Sequence, residues 1–168
     1  MELRRLFLER LEAETAATRK VIERVPEGHN DWRPHEKSMP LGYLAALVAS
    51  MPGWVSFMIE TDAIDFSDAS REGFKTKAVG SRAELVQLLE KGAADSRKSL
   101  ENTTEEQLMK PWAFKMGGQA VSEGPRYTMI LDGALAHLAH HRGQLTVYLR
   151  LNDAAVPAIY GPSADEPF

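Results

Sequence analysis

His137 and His141 stand four residues apart in the run His137-Leu-Ala-His140-His141-Arg142-Gly143-Gln144. On a helix that spacing sends both imidazoles from one face, one turn apart. Two such nitrogens can reach one divalent ion, the geometry that an HExxH helix uses. A pair does not close a site, because a catalytic zinc takes three protein ligands and a water. The same spacing also suits two histidines hydrogen-bonded inside a helical core, or one of them at its surface. The rest of the chain must therefore supply a third ligand, or fail to.

The element that positions the pair is predicted to be one long helix from Arg126 to Leu151, stopped by Asn152-Asp153 and Pro157. Leu131, Leu135, Leu138, Leu145 and Leu149 form a packing stripe at 3/4 spacing. Ile130, Ala134, His137, His141, Gln144, Tyr148 and Leu151 form a second stripe, apolar at its ends and polar in its middle. Gly133, Ala136, His140 and Gly143 form a third, of mostly small residues, that would admit a neighbour's backbone. Asp132, Arg142, Thr146 and Arg150 fall on the remaining side and are expected to face outward.

The 168 residues suggest one domain, residues 1–168, with a sizeable core. Hydrophobic residues make up 43% and charged residues 26%, the balance of a soluble globular chain. A net charge of −4 gives no reason to expect nucleic acid as a partner. The absence of cysteine excludes disulfides, thiolate metal sites and a cysteine nucleophile. The N-terminus reads as amphipathic helix without an uninterrupted apolar run, so no signal peptide is expected and the cytoplasm is the default location.

Helix one is predicted from Glu2 to Arg24, with Leu3, Phe7, Leu11, Val21 and Val25 on its buried side. Glu14 and Thr18 interrupt that stripe. Either they line the same cavity as the histidines, or they sit where the stripe meets solvent, the expected case. A polar connection follows, in which Trp32 plugs one end of the core and His29 and His35 are loop histidines. Helix two is expected to start at an N-cap, Ser38, with Pro40 in its first turn. No charged residue occurs from Ser38 to Ile59, long enough to suggest a membrane span. Pro52-Gly53 breaks the run, so a helix packed on several sides is the better reading, and no membrane partner is expected. Residues 60–79 read as a loop with one helical turn near Ala63 to Phe66, its aspartates 62, 65 and 68 solvated. Ser81-Arg-Ala-Glu84 is a capping box that opens helix three, which runs to about Leu100. A short helical piece begins at Thr103-Thr104-Glu105-Glu106. Gly117-Gly118 then marks a hairpin turn between residues 112–116 and 119–122. The Pro/Gly-rich tail would dock through Ile159 and Tyr160.

Four long helices and one small hairpin before the last helix make an all-α domain, most simply a four-helix bundle, a fold that places metal sites in its core. The motifs agree with that reading. His137-xxx-His141-Arg-Gly-Gln144-Leu, Trp32-x-Pro34-His35-x-Lys37-Ser38, Leu41-Gly42, Pro52-Gly53-Trp54 and Tyr160-Gly-Pro-Ser-Ala-Asp165 together resemble the DinB-like family, the DinB/YfiT-like metalloenzymes. The resemblance covers nearly the whole chain. It implies a bundle of up-up-down-down topology, homodimers, and a nickel or zinc ion held by three histidines. It also implies, for some members, a thiol-dependent transferase activity.

The departure from that pattern is specific. Two of the family's ligands map onto His137 and His141; the third, from helix two, maps onto Leu47, which cannot bind a metal. Tyr43, Glu14, Thr18 or Gln144 could offer a substitute oxygen. Tyr43, Leu47, Gln144 and Tyr148 are expected to line the cavity. Two functions follow: a divalent-metal-dependent transferase or hydrolase with an incomplete site, or a non-enzymatic dimeric bundle that binds a small molecule or a protein where the metal site has decayed. A hydrolase triad from Ser163, Asp165 and a histidine lacks any nucleophile-elbow context.

Overall fold

The computed structural model describes residues 2–67, 76, 78 and 80–167. The chain is mostly helical, with a small three-stranded sheet. Helix α1 spans Leu3–Ile22, α2 Leu41–Ser50, α3 Trp54–Glu60, α4 Arg82–Asn102 and α5 Glu105–Met109. A continuous helical stretch closes the fold: α6, Arg126–Ile130, a π-helical segment Leu131–Ala136, and α7, His137–Leu151. Helix α1 packs on α2, α4 and α7, α2 also packs on α4 and α7, and α3 packs on α4 and α6.

α1 presents Phe7, Leu11, Val21 and Ile22 to the core at helical spacing, as the sequence predicts. α4 opens with the predicted capping box: the Ser81 hydroxyl accepts from the Glu84 amide, and the Glu84 carboxylate accepts from the Ser81 amide at 2.9 Å. The start of α2 differs from expectation. Ser38 lies in the preceding turn, and Pro40 occupies the N-cap position with no side-chain cap. The first amide groups are satisfied by the connection instead. Leu41 donates to the Trp32 carbonyl at 2.8 Å and Gly42 to the Asn30 carbonyl at 2.9 Å.

The long apolar run, Leu41–Glu60, has the length and composition of a membrane span. Of its most apolar 18-residue stretch, 67% is buried within the protein, as in a core helix. Pro52 interrupts it as predicted, through a 3-10 turn at Met51–Gly53. The break separates the Pro52 carbonyl from the Ser56 amide, which would pair in an unbroken helix. Ser96, fully buried on α4, bridges them: its hydroxyl accepts from Ser56 N–H at 2.9 Å and donates to the Pro52 carbonyl at 2.7 Å. The two helices approach closely beside this bridge, where a Cβ on Gly92 would lie 3.0 Å from the Gly53 nitrogen.

Residues 63–65 are a strand, not the helical turn expected there. β1 (Ala63–Asp65) runs parallel to β2 (Pro111–Met116), pairing Ile64 with Phe114. β2 turns at Gly117 and Gly118, both at positive φ, into antiparallel β3 (Gln119–Pro125), which runs three residues beyond its predicted end. Asp65 ties the two edges together. Its carboxylate accepts from the Ser67 amide and hydroxyl, from Gly117 N–H at 3.0 Å and from Gly118 N–H at 2.5 Å. Those bonds hold its pKa down at about 2. Asp62 is solvated as expected, its side chain 90% exposed. It accepts from the buried Arg126 guanidinium at 2.6 Å. The third expected member, Asp68, lies outside the described residues.

Candidate functional site

The last helix is not α-helical throughout, and this decides what reaches the site. Residues 131–136 form i→i+5 bonds. In an α-helix, five residues advance about 140° past a full turn, whereas in a π-helix they make roughly one turn. The side chains of Asp132 and His137, on opposed flanks of an ideal helix, therefore come to one wall. The sequence reading placed Asp132 on the outer side. The structure instead puts it at the mouth of a cavity that His137 also lines.

That cavity has a volume of about 510 Å³. Tyr43, Leu47 and Trp54 come from the α2–α3 run, Trp112 and Phe114 from β2, and Asp132 and His137 from the last helix. Its wall is mainly apolar and aromatic, as in sites for small organic molecules. Tyr43 and Leu47 both line the cavity. Gln144 and Tyr148 do not belong to the wall. Tyr148 is buried, stacks edge-on against Trp32 at 5.4 Å, and donates its hydroxyl to the Met39 carbonyl.

His137 is half-buried, its ring 5.7 Å from that of Trp54. Burial, and then the neighbouring His141, push its pKa below the ordinary value of 6.5, opposed by the Gly133 carbonyl beside the ring. The His137 and His141 rings lie 4.6 Å apart, and the rings of His140 and His141 5.0 Å apart. Gln144 orders this group. Its carbonyl oxygen sits 2.7 Å from His141 Nδ1, and its amide nitrogen 3.1 Å from His140 Nε2. An amide oxygen only accepts, so His141 Nδ1 is the donor in this bond.

Glu14, Thr18 and Arg142 required correction. All three are buried. Arg142 is 1% exposed, Glu14 8% and Thr18 0%. The Arg142 guanidinium donates to the Glu14 carboxylate at 2.7 Å, to the Glu14 carbonyl at 3.1 Å and to the Thr18 hydroxyl at 3.1 Å. The Tyr160 hydroxyl donates to Glu14 at 2.7 Å and accepts from Arg142, so the tail docks on this pair. A polar residue on each of two facing helices reads as surface when each is judged alone. The i,i+4 interruption of the α1 stripe was the available signal. Ser163 and Asp165 hold the tail: the Ser163 hydroxyl donates to the Val156 carbonyl, and Asp165 pairs with Arg150. His29 meets Asn152 and His35 meets the Lys37 amide, so both remain loop histidines.

The DinB family model matches residues 1–167. The chain belongs to the DinB family. Two solved DinB-like proteins share its fold. One, YjoA from Bacillus subtilis, is 21% identical, with a TM-score of 0.65 over 89% of this chain and 94% of that one. The other, from Bacillus cereus, is 20% identical, with a TM-score of 0.68 over 92% of this chain and 95% of that one. Comparison with curated proteins gives no match.

The donors present can be tested against the three-histidine ion that the DinB resemblance implies. Two imidazoles bound to one tetrahedral zinc would place their ring centres about 5 Å apart, so the His137–His141 pair fits. The third place does not. Leu47 puts hydrocarbon on the cavity wall. Of the substitutes considered from sequence, Glu14 and Thr18 are engaged by Arg142 and Gln144 by two histidines, while Tyr43 lines the same cavity as His137 and Leu47. Among the described residues, no group of three histidine, aspartate or glutamate side chains is placed to hold a metal ion. This DinB chain therefore has two of the three histidines and an apolar chamber beside them.

Proposed function

We propose that this chain is a small-molecule-binding member of the DinB family, and that its ligand fills the apolar cavity beside His137. The observation that supports this reading is Leu47 on the wall of a cavity of about 510 Å³. A leucine there removes a ligand and adds apolar contact. Burying apolar ligand surface against such a wall contributes roughly 25 cal/mol per Å² before the cost of ordering. In this reading the four long helical segments form the bundle that the resemblance implies, the chain acts as a cytoplasmic homodimer, and no turnover is required.

A second reading keeps the enzyme: a metal-dependent thiol transferase or hydrolase using His137 and His141 with a third ligand from elsewhere. The 4.6 Å ring spacing favours it. Titration with the uncharged fluorescent probe N-phenyl-1-naphthylamine tests the first. Saturable binding at one site per chain is expected. Gly133→Leu should abolish it, because a Cβ there meets only Met58 Cε at an ordinary 3.7 Å and the longer side chain enters the cavity. Absence of saturable binding, or binding indifferent to Gly133→Leu in a variant of normal helical content, would count against the proposal.

A further inference from the structure

Resting on the reading of the cavity as a ligand site, we propose that its ligand is an organic ammonium cation carrying an apolar or aromatic body. The wall is rich in rings: Tyr43, Trp54, Phe57, Phe66, Trp112 and Phe114. Aromatic faces attract ammonium groups through their quadrupoles, most strongly where water is excluded. The charge on the wall points the same way. Among the described residues, Asp132 is its one carboxylate, and no lysine or arginine lines it.

Asp132 also has no ion pair or hydrogen bond with a described side chain. Its neighbour in kind, Asp62, is taken up by Arg126, and Asp65 by the hairpin amides. A lone carboxylate on an exposed helix face would carry no meaning. This one is carried by the π-helical turn onto the wall shared with His137, at the solvent-facing mouth of an apolar chamber. The two ends of the cavity thus ask for different chemistry: positive charge at the mouth beside Asp132, and an apolar body inside. An anionic ligand would meet repulsion at the entrance.

The test compares matched probes at pH 8 and low salt, read by the fluorescence of Trp54 and Trp112 or by calorimetry. The probes are benzyltrimethylammonium, its uncharged carbon isostere neopentylbenzene, and phenylacetate. The cation should bind roughly tenfold or more tighter than the isostere, with phenylacetate weakest. Asp132→Asn should remove most of that preference, weakening the cation far more than neopentylbenzene. An isostere that binds as tightly as the cation, or a preference that survives Asp132→Asn, overturns the ligand class and leaves the cavity reading standing. Failure of all three probes, together with N-phenyl-1-naphthylamine, overturns both.

Discussion

Replacing Glu14 by leucine would strand a buried cation. Arg142 is 1% exposed and spends its guanidinium on the Glu14 carboxylate at 2.7 Å, the Glu14 carbonyl, the Thr18 hydroxyl and Tyr160. Breaking a buried pair by deleting one partner typically costs 3–5 kcal/mol, because the survivor stays desolvated without its counter-charge. The lower end applies here. The Glu14 carbonyl, Thr18 and Tyr160 remain as acceptors, and the Glu14 side chain is itself 11% exposed. A loss of about 3 kcal/mol is therefore expected for Glu14→Leu. With a urea m-value near 2 kcal/mol/M for a chain of this size, the midpoint should fall by about 1.5 M, followed by tryptophan fluorescence. The companion Glu14→Leu/Arg142→Met, which removes both charges and keeps apolar volume, should return to within about 1 kcal/mol of the parent. A loss under about 1 kcal/mol for the single variant, or a double variant as unstable as the sum of its parts, would refute the reasoning.

Ser96→Ala should cost about 2–3 kcal/mol, since it leaves both the Ser56 amide and the Pro52 carbonyl without their bridge; native-state hydrogen exchange should quicken at Ser56, and unchanged exchange there would contradict the bridge. The folded pKa of His137 lies below 6.5, so the unfolded chain binds more protons between the two values. Its contribution to stability is complete above about pH 6.5 and declines as pH falls through that value, and His137→Gln should flatten the decline in thermal midpoint measured from pH 7.5 to 5.5. Asp65, with a pKa held to about 2, stabilises the hairpin above its unfolded value of 3.8 and loses that effect as pH falls towards 2. Asp65→Asn should speed amide exchange at Gly117 and Gly118 at neutral pH, and equal rates would argue that the carboxylate is dispensable.

What could be read in advance depended on whether the signal was local. The Ser81–Glu84 capping box, the Pro52 break and the Gly117-Gly118 turn are each decided within a few residues, and the structure has all three. The His137–His141 pairing needs only helical spacing, and the rings lie 4.6 Å apart. β1 escaped notice because its partner strand lies about fifty residues on and only tertiary pairing makes it a strand. The Arg142–Glu14 pair was hidden because hydropathy judges residues one at a time, whereas burial of charge is a property of two. The π-helical turn left only Gly133 as a trace, and without it Asp132 is assigned to the wrong face. Gln144 was placed on the correct stripe, yet its amide is spent on His140 and His141 rather than on the cavity.

The claim on which the rest depends is that Leu47 turns a metal-binding position into a wall for an apolar ligand. Equilibrium dialysis against zinc and nickel, comparing the parent chain with Leu47→His, measures this directly. The account predicts weak binding by the parent, through His137 and His141 alone. It predicts that the variant gains roughly a hundredfold or more in affinity, at one ion per chain. A parent chain that holds the ion as tightly as Leu47→His would contradict it.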